Sequence, residues 1–169
     1  IGEHWLHNSL SIIATGIYYN LDICSILEGL NSFKLPEGRG NRIKLKMKGN
    51  NFYIIDDSYN SNPASLLAAL NSLEGLKNKG KKILVLGDML ELGEKSIELH
   101  QNFKNKIEGN NIQVLFTTGK YMKELYKIIG NDFRKYHEDN LDNLFIKLKT
   151  IIAKGDVILI KGSNAMNLK

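Results

Sequence analysis

Three short, uninterrupted apolar runs constrain this chain most: "KILVLGD" (82–88), "IQVLFTTG" (112–119) and "DVILIKG" (156–162). An apolar run without alternation suits a strand buried on both faces, and such strands belong to parallel sheets. Parallel neighbours need crossover connections of a dozen or more residues. The stretches between the runs supply them as helices. Leu66, Leu70 and Leu73 share a stripe after Pro63. Leu99, Phe103 and Ile107 mark a second helix, Met122, Leu125, Tyr126 and Ile129 a third, and Leu141, Leu144, Phe145, Leu148 and Ile152 a fourth. "FRKY" (133–136) reads as a further short strand. The alternation predicts an α/β fold: a Rossmann-like, doubly wound, mostly parallel sheet with helices on both faces.

Ahead of this pattern, "RIKLKMK" (42–48) alternates as a half-buried strand does, and "NFYIID" (51–56) follows a "GNN" turn. Together they predict a β-hairpin at the start of the sheet. Further upstream the pattern is helical only. Leu6, Leu10, Ile13 and Ile17 fall at helical spacing between Trp5 and Tyr18, and a second helix covers roughly Asp22 to Leu30. "FKLPEGRGN" (33–41) carries one of the two prolines and reads as a connector. The expected organisation is a helical segment over 1–34, a junction at 35–40 and the α/β domain over 41–169.

The 169 residues carry a net charge of +5. Lys, Asn and Ile recur in every segment, so the charge reads as compositional bias. The one dense basic run, "KNKGKK" (77–82), has no interleaved aromatics and reads as a solvated loop. No nucleic-acid partner is expected. No apolar run approaches the roughly 20 residues of a membrane span, and the start "IGEHWLHNSL" has neither a basic region nor an apolar core of a signal peptide. A cytoplasmic protein without a membrane partner is expected, and the missing initiator Met points to a piece of a longer protein. The single cysteine, Cys24, rules out a disulfide framework and is expected to lie inert on an apolar helix face. "GLKNKGKK" (75–82) nearly matches a phosphate loop. It puts Lys82 where a hydroxyl must reach Mg²⁺, and it leads from a helix into a strand, the reverse of what the motif needs.

In open parallel sheets, ligands bind outside the carboxyl ends of the strands. The unusual residues sit there: Asp56 and Asp57, Asp88 with Glu91, Thr117 and Thr118, and Lys161 with Ser163. Asn62 before Pro63 is a good helix start. Asp57 is explained equally by bonds to turn amides and by a ligand, and Glu91 equally by solvation and by a ligand. His100 reads as a surface or packing residue and His137 as a solvated one. Lys161 directly follows four apolar residues, where an idle charge is costly, so it calls for a partner or an anion.

These stretches together resemble the Mur ligases, ATP-dependent amide ligases of peptidoglycan synthesis. "IDDSYNSNPASLLAAL" (55–70), "LVLGDMLELGEKSIELH" (84–100) and "ILIKGSNAM" (158–166) resemble signatures of that family's C-terminal domain. "EGRG" (37–40) resembles its junction, and "GEHWLHNSLSIIA" (2–14) a helix of its central ATPase domain. Trp5 and Asn164 depart from the pattern, which often has Asn after the first histidine and usually has Arg after Lys-Gly-Ser. The resemblance implies a helical remnant of the ATPase domain over 1–34 and a Mur ligase C-terminal domain over 41–169, with the sugar-binding domain and phosphate loop upstream. It implies a reaction in which ATP with Mg²⁺ turns a carboxylate into an acyl phosphate that an amine then attacks. "GDMLELGE" resembles the stretch that sets one branch of the family apart, and so implies the branch that joins D-alanyl-D-alanine to UDP-N-acetylmuramoyl-tripeptide.

By the same resemblance, His4, Asn8, Arg39 and Asp57 face the nucleotide; Asn60, Asp88, Glu91, Lys161 and Ser163 are the candidates for the dipeptide or its surroundings. Glu91 and Lys161 are the opposite charges that a zwitterionic dipeptide needs. No catalytic residue and no metal ligand is assigned within the chain, and a monomer is expected. Two rivals stand beside this reading: a sister Mur or folylpolyglutamate-type ligase, and a non-catalytic α/β module binding a ligand or RNA. The 169-residue chain alone is expected to be inactive. A phosphate-release assay should register no turnover that depends on both substrates, and such turnover would refute the expectation.

Overall fold

The computed structural model describes residues 3–168, without the side chains of Glu3 and His4. The chain forms two compact units that divide after Leu35.

The first unit is a helix pair. Helix α1 spans Glu3–Tyr18 and helix α2 spans Ile23–Ser32. Asp22 starts α2 by accepting the Ser25 amide on its side chain at 2.9 Å, which satisfies one of the orphan donors of the first turn. Ile26 is buried, but the expected stripe is not: Leu6, Leu10 and Ile17 are all more than half exposed. Two short helices cannot bury a whole apolar stripe between them. Cys24 is exposed, not set on a buried face as the sequence suggested.

The second unit starts at Pro36 and is built on a six-stranded sheet. Strands β1 (Asn41–Met47) and β2 (Asn50–Asp57) form the antiparallel hairpin. Helix α3 (Pro63–Gly75) leads to β3 (Lys82–Gly87). The short helices α4 (Ser96–Gln101) and α5 (Lys104–Gly109) lead to β4 (Val114–Thr118), and α6 (Lys120–Ile128) leads to β5 (Lys135–His137). Helix α7 (Leu141–Ile151) returns the chain to the last strand, β6 (Val157–Lys161). The sheet order is β1-β2-β6-β3-β4-β5, parallel throughout except for the β1–β2 pair.

This order decides which face each helix covers. The crossovers β2→β3, β3→β4 and β4→β5 all step the same way across the sheet, and β5→β6 steps back. Right-handed crossovers must then put α3 to α6 on one face and α7 on the other. The two cores agree. On one side Leu66, Leu70, Leu73, Ile107, Met122 and Leu125 pack over Leu84, Leu86, Leu115 and Leu159. On the other, Leu144, Leu148 and Ile151 of α7 cover Phe52, Ile83, Val85, Phe116 and Ile158. One helix covers the edge only in part, so β1 is not half-buried as its alternation suggested: Met47 packs against this core, but Ile43 and Leu45 are 43% and 40% exposed. The single helix expected around Leu99 to Ile107 is broken at Asn102–Phe103 into α4 and α5. Among the described residues no helix is long and apolar enough to cross a membrane.

The "KNKGKK" run is only partly a solvated loop. Lys82 is buried and donates to the Glu74 carbonyl at the end of α3, at 2.8 Å. Lys81 pairs with Asp156 at 3.1 Å. Asp156 is 1% exposed, and its carboxylate also accepts the amides of Lys81 and Ala153, both at 2.8 Å. Asp156 therefore ties the amino ends of β3 and β6 together. D156A should destabilise the domain by about 3 kcal/mol, the scale for a buried charged acceptor of several bonds. Urea denaturation measures this, and a loss below about 1 kcal/mol would contradict the assignment.

Candidate functional site

The carboxyl ends of β2, β6 and β3 lie side by side, with Lys161 in register with Asp57 on one flank and Leu86 on the other. Lys161 is 2% exposed. Its ammonium donates to Asp57 Oδ2 at 2.7 Å and to the Asn60 carbonyl at 2.9 Å. The cation expected to meet a ligand carboxylate thus turns inward and commits two of its three N–H donors to the two ends of the 57–60 turn. Asp57 Oδ1 keeps no hydrogen-bond partner among the described residues, and its side chain is a quarter exposed. The rest of the turn is built from local bonds. Asp56 Oδ1 accepts the Ser58 amide at 3.2 Å, and Asn60 Oδ1 accepts the Ser61 amide at 2.8 Å. Asn62 then starts α3 through a capping box with Ser65.

The junction turn docks on this structure. The Tyr59 amide donates to the Gly38 carbonyl at 3.0 Å, and the Gly40 amide to the Asp56 carbonyl at 2.7 Å. Gly38 has φ +73°, and a Cβ there would stand 2.9 Å from the Tyr59 nitrogen, so only glycine fits. Arg39 lies with its guanidinium 4.1 Å from the centre of the Tyr59 ring. That is within cation–π range and keeps an exposed cation beside Asp57's turn.

On the other flank of β6, the loop after β3 is held by residues far away in sequence. Asp88 is buried and accepts the Tyr121 and Met122 amides, at 3.1 and 2.7 Å, at the start of α6. Both its oxygens are committed to that helix, so its expected place facing the dipeptide gives way to helix capping. Gly119 has φ +100°, and a Cβ there would collide with the Asp88 carboxyl. Ser163 Oγ accepts the Leu90 amide at 2.8 Å, and the Ser163 amide donates to the Asp88 carbonyl at 3.0 Å. Glu91 follows, exposed and at φ +64°.

Of the other residues singled out in the sequence, Asn8 is exposed on α1, and the side chain of His4 lies outside the described residues. His100 is fully buried and bonded at both ring nitrogens, to the Met89 amide and the Ser96 carbonyl. Burial lowers its pKa, against the raising effects of the Ser96 carbonyl and of Asp88. His137 is not solvated: its side chain is 8% exposed and bridges Thr117 Oγ1 and Asp139 Oδ1, each at 3.0 Å. The bond with His137, and then that with Lys123, holds Asp139 below its usual pKa. The sequence reading missed Tyr59 and the bracing role of His100. His100, Phe103 and Ile107 share the i, i+3, i+7 spacing of one face, which was a legible sign of burial. Among the described residues no group of three or more His, Cys, Asp or Glu side chains could hold a metal ion.

Residues 38–164 match the family model described as Mur ligase, glutamate ligase domain. The chain is 34% identical to the UDP-N-acetylmuramoyl-tripeptide–D-alanyl-D-alanine ligase of Bacillus subtilis, over 100% of the chain and 37% of that relative. It therefore spans little more than a third of that curated relative's length. Among solved structures, a MurF ligase from Thermotoga maritima in complex with ADP is 28% identical. The match has a TM-score of 0.70 and covers 92% of this chain and 34% of that one. MurF from Acinetobacter baumannii shares the fold, with 24% identity, a TM-score of 0.81 and coverage of 99% and 36%.

The site geometry sets an order of stability losses. D57A leaves an ammonium buried without its counter-charge and should cost about 3–5 kcal/mol. K161M removes the buried charge itself, and Asp57 reaches solvent, so it should cost only about 1–2 kcal/mol. Chemical denaturation of both variants checks this, and the reverse order would show that Lys161 does not depend on Asp57.

Proposed function

The chain belongs to the Mur ligase family, and from that premise we propose that it is the C-terminal portion of an ATP-dependent amide ligase that joins D-alanyl-D-alanine to UDP-N-acetylmuramoyl-tripeptide. The exposed apolar stripe of the first unit supports reading residues 1–34 as the tail of a larger ATPase domain. The observation that carries the proposal is the shared rim. Asp57's turn, Ser163 and the Glu91 loop meet at three adjacent strand ends, with Arg39 held on the same turn by Tyr59.

ATP supplies the energy of amide formation by activating the acceptor carboxylate as an acyl phosphate. The residues of this chain fit a supporting part. Arg39 presents a guanidinium suited to phosphate oxygens, and Asp57 Oδ1, without a partner among the described residues, an acceptor suited to a ribose hydroxyl. His4 and Asn8 remain proposed contacts on the adenine side. Mg²⁺ would accompany ATP in the full-length enzyme, held largely by phosphate oxygens; among the described residues no group of three or more His, Cys, Asp or Glu side chains offers it a site of its own.

For the incoming dipeptide, Glu91 offers the exposed carboxylate that an ammonium needs. Ser163, beside it, has a hydroxyl whose oxygen already accepts the Leu90 amide and whose proton is left to donate. Asn60 lines the same rim. Lys161 serves by fixing Asp57 and Asn60 rather than by touching substrate. "GDMLELGE" favours this branch over a sister ligase.

The test is the full-length enzyme assayed with UDP-N-acetylmuramoyl-tripeptide, D-alanyl-D-alanine and ATP. E91Q should raise the dipeptide KM about tenfold to a hundredfold, the equivalent of one charge-assisted contact, and leave the ATP KM unchanged. An unaltered dipeptide KM would remove Glu91 from the site, and absence of ligase activity in the wild type would defeat the proposal.

A further inference from the structure

We propose that His100 is a positioning residue for amine-substrate recognition: its buried imidazole sets the conformation of the 88–96 loop that holds Glu91 out to the dipeptide. The inference rests on the reading that Glu91 meets the dipeptide's ammonium.

His100 sits in α4, fully buried, one element away from the rim. Its Nδ1 lies 2.6 Å from the Ser96 carbonyl oxygen, and its Nε2 lies 2.9 Å from the Met89 amide nitrogen. A carbonyl can only accept and an amide N–H can only donate. The ring must therefore carry its proton on Nδ1 and offer a lone pair on Nε2. Only the neutral Nδ1–H tautomer satisfies both partners, and burial favours a neutral ring. The groups facing it are the charge of Asp88 and the ring of Tyr121, whose centre is 5.4 Å away.

These two bonds clasp the loop at both ends. Met89 is its first residue past Asp88, and Ser96 is where it becomes helix. Between them, Ser163 Oγ holds the Leu90 amide and Ser96 Oγ donates to the Gly93 carbonyl at 2.6 Å. Glu91 lies inside this frame at φ +64°, a conformation that residues with a Cβ rarely adopt. Such a conformation persists only where the surroundings over-determine it. Met89 is fully buried, so its amide cannot turn to water if Nε2 is lost. The loop would have to move to satisfy it, and Glu91 would relax with the loop.

The experiment uses the full-length ligase containing this chain, as wild type, H100Q, H100N and H100F. Gln can place an acceptor oxygen where Nε2 lies. Asn can donate where Nδ1 lies but leaves the Met89 amide without an acceptor, and Phe fills the space with neither. Two readouts are taken: deuterium exchange of the peptide spanning 88–92, and KM for D-alanyl-D-alanine and for ATP. H100N and H100F should speed the exchange and raise the dipeptide KM, each about tenfold, with the ATP KM within about twofold; H100Q should stay near wild type in both. Unchanged exchange and dipeptide KM in H100N and H100F, in an active enzyme, would overturn the inference alone, as would an equal rise in both KM values. A wild type inactive on the dipeptide overturns the reading beneath it and the inference with it.

Discussion

An ammonium buried at the end of a central strand has to be met, and the site grows from how that is done. Lys161 stands at 2% exposure, where an unpartnered charge costs several kcal/mol. The parallel register of β6 with β2 brings Asp57 opposite it, and the turn that follows folds back to add the Asn60 carbonyl. A shift of either strand by one residue would send one of the two side chains to the other face of the sheet. The pair therefore fixes the register and the turn together. Through Tyr59 the same turn receives the junction and Arg39, so a contact between residues 57 and 161 reaches back to residue 38.

The last strand in sequence is a middle strand in space. The chain passes from β2 to β3 across a gap that β6 fills only at the end. Residues from the carboxyl end of β6 can therefore touch the loops on both sides. Lys161 bonds the β2 turn, and Ser163, two residues later, bonds the loop after β3. In a proposed dipeptide site, this makes the terminal segment the common support of the nucleotide-side turn and the substrate-side loop. His100 braces the second of these from the opposite end.

Much of the fold was legible because its signals are local. Unbroken apolar runs marked the buried strands, and the stripes of Leu66–Leu70–Leu73 and Leu144–Leu148 marked the buried helix faces. Asn62-Pro63 marked the start of α3. The misreadings share one cause: periodicity says which face is apolar, not whether anything covers it. Hence the exposed stripe of α1 and the exposed Ile43 and Leu45 of β1, which lies at the edge of the sheet. The same limit left His100 open between surface and packing and made His137 read as solvated. His100 and His137 look polar in sequence, yet each is enclosed and has both ring nitrogens bonded.

By itself the sequence determined a parallel α/β domain, the gathering of acids, hydroxyls and one lysine at its strand ends, and the family signatures carried there. Only the tertiary structure decided how those groups are used. Lys161 turns inward to Asp57, Asp88 caps α6, and Glu91 is left facing solvent. The physical reason is that pairing depends on distance and burial between residues that lie tens of positions apart or more. Those are set by strand order and crossover handedness, which no single stretch of sequence contains.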